Sequence, residues 1–267
     1  MKDKVVIVTG SSGGIGKALA YKFASMGSHV VLNGRNHDKL YSIHQDLRSK
    51  GFSAIVIPGD VSSESDCRIL IEETISEFGR IDVLINNAGV SMRALFAETD
   101  LSVIRKVMDI NFWGTVYCTK YAIDHIITSK GSIVGISSVA GKKGLPGRTG
   151  YSASKFAMEG FLESLRLENA MKGIHVLVAC PGFTASKIRE SSLNASGSSQ
   201  KESPREEKKM MTAQQVAEKV YTSIVLRKRD LILTKQGKLA IFINKFFPKW
   251  ADKLTFDHMS KEPGSPF

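Results

Sequence analysis

A tyrosine, a lysine and a serine stand at spacings that could support acid–base chemistry. Tyr151 lies four residues before Lys155, and Ser138 precedes the tyrosine by thirteen residues. Residues four apart share one face of a helix, and a nearby ammonium group favours the ionised form of a phenol. We therefore expect the pKa of Tyr151 to fall below its reference value of about 10, which would suit proton transfer near neutral pH. Ser138 could hold a substrate oxygen beside it, although the pair alone could equally be an exposed feature of a helix.

A glycine-rich loop follows the first apolar segment. Residues 4–9 predict a buried strand, and the sequence Gly-Ser-Ser-Gly-Gly-Ile-Gly at 10–16 leads into a helical pattern. Glycine lets the chain turn sharply and lets its backbone approach a pyrophosphate at a helix N-terminus. The loop indicates a dinucleotide site, unless it is an ordinary strand-to-helix turn. Its candidate binding residues are Gly10, Ser11, Ser12, Gly14, Ile15 and Gly16.

Further motifs lie at the ends of predicted strands. Asn-Asn-Ala-Gly at 86–89 ends one strand, Ser138 ends another, and Pro181-Gly182 ends a third, while Asn111 lies in a helical segment. Over residues 3–235 the chain resembles the short-chain dehydrogenase/reductase family, in the subgroup with TGxxxGxG, NNAG and YxxxK motifs. The motifs follow one another in the family's order and at its spacing.

Alternating apolar segments and amphipathic helices predict an α/β fold. We expect strands at 4–9, 29–33, 53–58, 81–86, 131–137, 174–180 and 230–234, and helices at 15–26, 37–49, 64–78, 101–128, 152–171 and 212–226. Strands rich in valine and isoleucine are typical of a parallel sheet covered on both faces. The resemblance implies a single Rossmann domain at 1–235, with a doubly wound, seven-stranded parallel sheet flanked by helices. The residues at 236–267 predict a C-terminal helical extension of this domain.

The end of the second strand bears on the choice of cofactor. The segment Val-Val-Leu-Asn-Gly-Arg at 30–35 lacks an acidic residue where Asp or Glu would bond the adenosine ribose 2′-hydroxyl and repel a 2′-phosphate. Arg35 could bind that phosphate with paired hydrogen bonds or could simply face solvent. Ser11 and Ser12 could add hydroxyl contacts. We therefore predict that NADP(H) is preferred over NAD(H).

The resemblance implies a role for each catalytic candidate. Tyr151 would donate the proton in reduction, Lys155 would lower the pKa of Tyr151 and hold the nicotinamide ribose, and Ser138 would position the substrate carbonyl. Asn111 would bend its helix and hold a water molecule in a proton relay. The further predicted cofactor contacts are Asn33, Arg35, Asp60, Val61, Asn87, Ala88, Gly89, Tyr151, Lys155, Pro181, Gly182, Thr184 and Ser186. The last two reflect a departure, because the family usually has a threonine at the place where Ser186 stands, and Thr184 is the alternative.

The resemblance implies that three segments form the substrate pocket, those after the fourth, fifth and sixth strands. The first two contribute Val90, Met92, Leu95, Phe96, Val139, Leu145 and Pro146. Because these residues are mostly apolar, we predict a hydrophobic substrate, unless about half of them are ordinary core residues. The third segment, 184–210, is rich in serine and charge. It predicts either a lid that orders on binding or a flexible surface loop.

The C-terminal extension is both apolar and basic. Its apolar residues recur at helical spacing and are Leu239, Phe242, Ile243, Phe246, Phe247, Trp250 and Leu254. Pro248 is expected to kink or split the helix. A basic helix with large aromatic residues is typical of a membrane-surface anchor, and the formal net charge of +11 suits an anionic surface. We predict peripheral membrane contact through 238–256, with packing over the substrate cleft and contact between subunits as alternatives.

The extension resembles the C-terminal extensions of the family's lipid- and steroid-directed reductases. The resemblance is one of amphipathic and basic character without a shared motif, so it is an analogy. The leading hypothesis is an NADPH-dependent oxidoreductase that reduces a lipophilic ketone, such as a lipid intermediate or a steroid-like compound. The alternatives are a soluble carbonyl reductase or alcohol dehydrogenase of broad specificity and a non-catalytic NADP-binding regulator. The resemblance also implies a homodimer or homotetramer that associates through the helices at 101–128 and 152–171.

Composition disfavours several other classes of function. Cys67, Cys118 and Cys180 are far apart and indicate buried thiols in a reducing compartment. The six histidines show no ligand spacing, so no metal site is expected. Without a leader or a run of about twenty apolar residues, we expect a cytoplasmic protein with no transmembrane helix. The basic residues cluster on the extension without a nucleic-acid motif, so no nucleic acid is expected as a partner.

Overall fold

A seven-stranded parallel sheet forms the centre of the molecule. The computed structural model describes residues 1–182, 184–185, 188–200 and 210–267. The strands are β1 (Val5–Val8), β2 (His29–Leu32), β3 (Ala54–Val56), β4 (Val83–Asn86), β5 (Ser132–Ile136), β6 (His175–Cys180), β7 (Thr184–Ala185), β8 (Met211–Thr212) and β9 (Asp230–Ile232). The sheet order is β3-β2-β1-β4-β5-β6-β9, and β7 pairs with β8 separately. This confirms the predicted Rossmann fold.

Helices cover both faces of this sheet. They are α1 (Gly14–Ser25), α2 (His37–Ser49), α3 (Glu64–Phe78), α4 (Leu101–Met108), α5 (Gly114–Ser129), α6 (Thr149–Glu168), α7 (Ala213–Val225), α8 (Lys235–Phe246) and α9 (Pro248–Ser260). One core packs Leu19 and Phe23 of α1 against Val6 and Val8, and the other packs Leu162 of α6 on the opposite face. Successive residues of β1 therefore face opposite cores, which is why the strand is apolar throughout.

The sheet order reverses next to β1. From β1 the chain winds outward to β2 and β3, and it then crosses over to β4 on the other side of β1. Val6 and Val8 are in register with Val83 and Ile85, so the two strands end side by side. A crevice forms at the carboxyl ends of strands where the order reverses, and this position determines where the functional residues meet.

One predicted helix differs from the structure. The helix expected at 101–128 is divided into α4 and α5 by a π-helical turn at Asp109–Trp113. Asn111 lies within this turn, and the Thr115 hydroxyl donates to the Asn111 carbonyl at 3.0 Å. Such turns occur often at functional sites, and the regular α-helix is interrupted at Asn111, while a bend there stays a prediction.

The C-terminal extension is a helical hairpin. Its helix is split at Pro248, as predicted, because proline is favoured in the first turn of α9 and not inside a helix. The hairpin contacts the loop after β5, where the Asn244 amide donates to the Lys142 carbonyl at 3.3 Å and Lys143 pairs with Asp252. Within the described ranges, no helix has the length and apolarity needed to cross a membrane.

The helices α4, α5 and α6 were expected to carry the contact between subunits, but only part of their apolar residues are exposed. Val103, Val107 and Leu165 are buried in the cores of their own chain and cannot serve an intersubunit contact. Phe156 is exposed, and Phe112 packs edge-on against Phe161 at 6.3 Å between ring centroids. The apolar surface available for a contact between subunits is therefore smaller than the sequence predicted.

Candidate active site

One crevice of about 1570 Å³ joins the glycine-rich loop to Tyr151. It opens at the carboxyl ends of the strands where the sheet order reverses. The predicted residues that line it are Gly10, Ser12, Gly14, Ile15, Asn33, Arg35, Asp60, Val61, Asn87, Ala88, Gly89, Ser138, Tyr151, Lys155, Pro181, Gly182 and Thr184. Ser11, Gly16 and Asn111 are buried and do not line the crevice. Ser186 lies outside the described residues.

The glycine-rich loop needs its glycines for two different reasons. Gly10 and Gly14 adopt positive φ angles of 65° and 53°, which disfavour side chains. Gly16 allows a close approach, because a Cβ there would lie 2.3 Å from the Gly10 carbonyl oxygen and 2.5 Å from the Asn87 amide nitrogen. Gly16 therefore fixes the shape of the loop without lining the crevice.

The loops after β1 and β4 are tied together by hydrogen bonds. The Asn87 side-chain amide donates to the Thr9 and Gly10 carbonyls at 2.9 and 3.3 Å. The Thr9 hydroxyl accepts from the backbone N–H groups of Asn87 and Ala88, each at 3.0 Å. Thr9 is thus a site residue that the sequence reasoning did not name, although it stands at the start of the glycine motif.

The N-terminus of α1 is suited to a phosphate. Gly13 occupies the cap position and has no side chain to bond the first N–H groups. The first turn has no acidic residue, and Lys17 lines the crevice. Helix N-termini of this kind attract anions through exposed N–H groups and the helix dipole, so the loop fits the pyrophosphate of a dinucleotide.

The contacts at the end of β2 bear on two predicted cofactor residues, Ser11 and Asn33. Ser11 is buried and its hydroxyl donates to the Asn33 carbonyl at 3.1 Å, so Ser11 cannot offer this hydroxyl to a phosphate. Arg35 is 60% exposed, and its guanidinium lies 3.6 Å from the Asp60 carboxylate. The Asn33 side-chain oxygen is buried without a hydrogen-bond partner in the described structure. An unsatisfied acceptor of this kind fits a ligand that donates a hydrogen bond.

Ser138, Tyr151 and Lys155 are brought together at the other end of the crevice. The Ser138 side chain lies close enough to the Tyr151 hydroxyl to lower the pKa of the phenol, and the Ser138 hydroxyl accepts from the Ala140 N–H at 3.2 Å. Lys155 lies one turn further along α6, with its ammonium group 5.9 Å from the centre of the Tyr151 ring. Its ammonium donates to the Ile136 carbonyl at 2.9 Å. The spacing in the sequence therefore corresponds to a real cluster.

The protein environment alone raises the pKa of Tyr151, contrary to the sequence expectation. Burial raises it, and this effect exceeds the lowering by the hydrogen bond from Ser138 and by the charge of Arg148. Burial also lowers the pKa of Lys155 to about 8. In a low-dielectric site each group favours its neutral form, so near pH 8 Tyr151 is protonated and Lys155 is about half charged.

Asn111 clamps the loop after β4. Its side-chain oxygen accepts from the Val90 N–H at 2.8 Å, and its amide donates to the Val90 carbonyl and the Ser154 hydroxyl, each at 2.9 Å. Both amide hydrogens are therefore used within the protein. A water relay through Asn111 stays a prediction.

Comparisons with known proteins agree with this geometry. The family model described as short chain dehydrogenase matches residues 4–196. This chain belongs to the short chain dehydrogenase family. An Arabidopsis thaliana protein named 11-beta-hydroxysteroid dehydrogenase-like 2 is 44% identical over 187 residues, which cover 69% of this chain and 60% of that protein. This chain therefore spans less than two thirds of the length of that relative.

One further relative and one solved structure of similar fold extend over more of the chain. A Dictyostelium discoideum protein named dehydrogenase/reductase SDR family protein 7-like is 34% identical over 261 residues, covering 95% of this chain and 81% of that protein. A solved short chain dehydrogenase/reductase from Burkholderia phymatum, in complex with NAD, has a TM-score of 0.84 at 22% identity and covers 93% of this chain and 95% of that structure. Members of this oxidoreductase family usually act on small molecules and form oligomers.

In this short chain dehydrogenase, Glu159 is a buried neighbour of Lys155 that the sequence reasoning missed. Its carboxylate accepts from the Ser137 hydroxyl at 2.5 Å and pairs with the Lys142 ammonium at 2.6 Å. Glu159 raises the pKa of Lys155 and so opposes the effect of burial. The four-residue spacing of Lys155 and Glu159 was the available signal.

Glu159→Gln should move the pH dependence of the reaction. Lys155 is charged below its pKa of about 8 and neutral above it, so kcat/KM should fall as pH rises through about 8, because the positive charge beside Tyr151 is lost. Loss of the Glu159 carboxylate lowers the pKa of Lys155 further, which shifts this fall below pH 8. A pH profile of kcat/KM, which reports the free enzyme, measures it. Glu163→Gln, an exposed carboxylate on α6 paired with Arg229, is the control, and equal profiles for the two variants would contradict the assignment.

The lining of the crevice is less apolar than the sequence predicted. Of the seven predicted apolar residues, Val90 and Leu145 line it, whereas Met92 is buried in a core and Phe96 is exposed. Three arginines also line the crevice and were not predicted: Arg93, Arg148 and Arg189.

The predicted lid at 184–210 is described only in part. Thr184 lines the crevice, and its hydroxyl donates to the Gly182 carbonyl at 3.1 Å. Leu193 pairs with the segment after β4, accepting from the Arg93 N–H at 2.8 Å and donating to the Ser91 carbonyl at 2.9 Å. Residues 201–209 lie outside the described residues, so gating by this segment stays a prediction.

One thiol lies beside the site, because the Cys180 sulfur contacts the Glu159 carboxylate at 3.5 Å. The three cysteines are buried free thiols, as predicted, with the Cys67 and Cys118 sulfurs 3.4 Å apart. In the parts of the chain that the structure describes, no three histidine, cysteine or acidic side chains gather where they could hold a metal ion.

Proposed function

We propose that this chain is an NADP(H)-dependent short-chain dehydrogenase/reductase that reduces a lipophilic ketone to an alcohol. The carrying observation is the cluster of Ser138, Tyr151 and Lys155 in the same crevice as the glycine-rich loop. A proton donor and a dinucleotide site that share one crevice support a reaction that combines proton and hydride transfer.

The residues of the chain have distinct tasks in this proposal. Tyr151 moves the proton at the substrate oxygen, and Ser138, which lines the same crevice, holds that oxygen in place. Lys155 adds positive charge one helical turn away, which favours the ionised phenol. Gly10–Gly16 and the N-terminus of α1 hold the cofactor phosphates. A nicotinamide cofactor, when bound, supplies or accepts the hydride.

The test of this function is a cofactor-oxidation assay. Purified protein is mixed with NADPH or NADH and a panel containing ketosteroids, 3-ketosphinganine, acyl-dihydroxyacetone phosphate and small aldehydes, and loss of cofactor absorbance is followed. Turnover of one lipophilic ketone with NADPH is the expected result. Weak turnover of many small carbonyls would favour a soluble reductase of broad specificity, and NADPH binding without any turnover would favour a non-catalytic regulator.

The preference for NADP(H) is supported by the residues after β2. Arg35 is exposed beside the crevice, and Gly34 places no acidic side chain there. A guanidinium can bind a 2′-phosphate in a paired geometry. The Asp60 carboxylate lies 3.6 Å from the Arg35 guanidinium and keeps it near the crevice. Because both side chains are partly exposed to water, this ion pair is weak, and Arg35 keeps its positive charge for a phosphate.

Arg35→Ala should raise the Kd for NADP⁺ by roughly tenfold or more, because a charge-assisted hydrogen bond is lost. The Kd for NAD⁺ should change little, because NAD⁺ lacks the 2′-phosphate. Titration calorimetry with both nucleotides measures the two constants. Arg68→Ala, which removes an exposed arginine of α3, controls for the change in net charge. An equal loss for both nucleotides would contradict a role in discrimination.

A lipophilic substrate and a membrane surface are supported by the helical hairpin. One side of α8–α9 is packed on its own chain, and the opposite side exposes Phe242, Phe246, Phe247 and Trp250, the last being 68% exposed. Lysines flank this exposed surface. The arrangement fits an amphipathic element that lies on an anionic lipid surface. The Arabidopsis relative, whose name refers to a hydroxysteroid dehydrogenase, also supports a lipophilic substrate.

Neutralising Lys245, Lys249 and Lys253 to glutamine should weaken binding to anionic vesicles by roughly 100-fold, since each basic residue adds about 1 kcal/mol at such a surface. Flotation with phosphatidylglycerol vesicles measures the effect, and phosphatidylcholine vesicles should bind weakly in every case. The control removes three lysines elsewhere: Lys2, Lys120 and Lys172. If wild-type protein ignores phosphatidylglycerol, the hairpin does not serve as a membrane contact.

A further inference from the structure

Two arginines converge on one carboxylate at the rim of the crevice. Arg93 follows β4 and Arg148 precedes α6, and both line the crevice. The Glu262 carboxylate lies 2.8 Å from the Arg148 guanidinium and 3.8 Å from that of Arg93. The three side chains are 10%, 13% and 4% exposed in the order Arg93, Arg148, Glu262. A carboxylate from the end of the chain therefore occupies a largely buried two-guanidinium site.

The chemistry of this site is that of oxyanion recognition. Guanidinium groups bind carboxylates and phosphates through paired, charge-assisted hydrogen bonds. Arg148 lies close enough to Tyr151 for its charge to favour the ionised phenol. An oxyanion bound by Arg93 and Arg148 would therefore belong to a molecule whose other end can reach the proton donor.

Glu262 belongs to a segment in which few residues are buried. It lies after α9, in the last residues of the chain, where Met259 is buried and Lys261, Pro263 and Gly264 are exposed. The Pro263 carbonyl accepts from the Arg93 guanidinium at 2.7 Å. A surface segment with few buried residues can leave its site without disturbing the sheet.

We propose that Arg93 and Arg148 recognise an oxyanion on the substrate and that Glu262 occupies this position until the substrate displaces it. The inference rests on the proposed function and deepens it, because it assigns the lipophilic ketone a carboxylate or phosphate group. The ligand chemistry is that of an oxyanion, either as a free ion or joined to an apolar chain.

Calorimetry on protein saturated with NADP⁺ tests the proposal, because the phosphate positions of the cofactor are then filled. The probes are inorganic phosphate, octyl phosphate and octanol. Octyl phosphate should bind Glu262→Gln roughly tenfold or more tightly than wild type, and adding Arg148→Met to that variant should abolish the gain. Asp252→Asn, which removes an exposed carboxylate of α9 that pairs with Lys143, should bind as wild type does.

A second measurement uses wild-type protein alone. Hydrogen exchange at residues 259–267 should increase with octyl phosphate and stay unchanged with octanol at equal ionic strength. Unchanged exchange, or equal binding by wild type and Glu262→Gln, would overturn the proposal and leave Glu262 as an anchor of the tail. If octyl phosphate binds no better than phosphate, the site takes free anions and does not recognise substrate. Tyr151→Phe should keep these responses, so a failure here is distinct from a failure of the proposed reduction.

Discussion

Tyr151→Phe should lower kcat for carbonyl reduction by about 10² to 10⁴, the usual contribution of a well-placed proton donor. Phenylalanine keeps the ring in its buried place at the start of α6 and removes only the hydroxyl. Because the ring stays in place, the Kd for NADPH should change by less than about threefold. Steady-state kinetics with the best ketone of the panel and a fluorescence titration with NADPH measure the two quantities.

The control for this prediction is Tyr121→Phe. Tyr121 is a tyrosine of α5 whose hydroxyl donates to the Glu64 carboxylate at 2.7 Å, on the surface of the molecule. It loses the same atom outside the crevice, so its kcat should stay near that of wild type. If Tyr151→Phe retained wild-type turnover, the proton would have to come from another group, and the proposed mechanism would be wrong.

The sheet and its helices could be predicted because their signals are local. The apolar residues of β1, flanked by a lysine and a glycine turn, define a buried strand with no knowledge of its neighbours. The split at Pro248 follows from the missing N–H of one residue. The cluster of Ser138 and Tyr151 was also predictable, although only through the resemblance, because their meeting depends on how β5 and α6 pack.

What could not be predicted depends on contacts between distant parts of the chain. Ser11 stands beside the phosphate loop in the sequence, but its hydroxyl is used by Asn33 after β2. The direction in which the pKa of Tyr151 shifts depends on how deeply the ring is buried. The spacing of Tyr151 and Lys155 in the sequence does not reveal this burial. Glu262 meets Arg148 across 114 residues of sequence, so no periodicity could have indicated their pairing.

Gly16→Ala should be the most disruptive single methyl group in the cofactor end of the crevice. The added Cβ would lie 2.3 Å from the Gly10 carbonyl oxygen and 2.5 Å from the Asn87 amide nitrogen. The first of these is a backbone atom, so the clash cannot be relieved by rotating a side chain. Overpacking of this kind costs about 1–3 kcal/mol, which corresponds to a fall in Tm of roughly 5 °C in a protein of this size.

The same substitution should weaken dinucleotide binding by roughly tenfold or more, because the loop that approaches the pyrophosphate must shift. Calorimetric melting without cofactor and titration with NADP⁺ separate the two effects. Gly160→Ala is the matched control, since a Cβ at that exposed position of α6 meets nothing within 4 Å. Alanine should stabilise that helix by about 0.5–1 kcal/mol. If both variants melted and bound NADP⁺ alike, the close approach of Gly10 and Gly16 would not be what shapes the cofactor site.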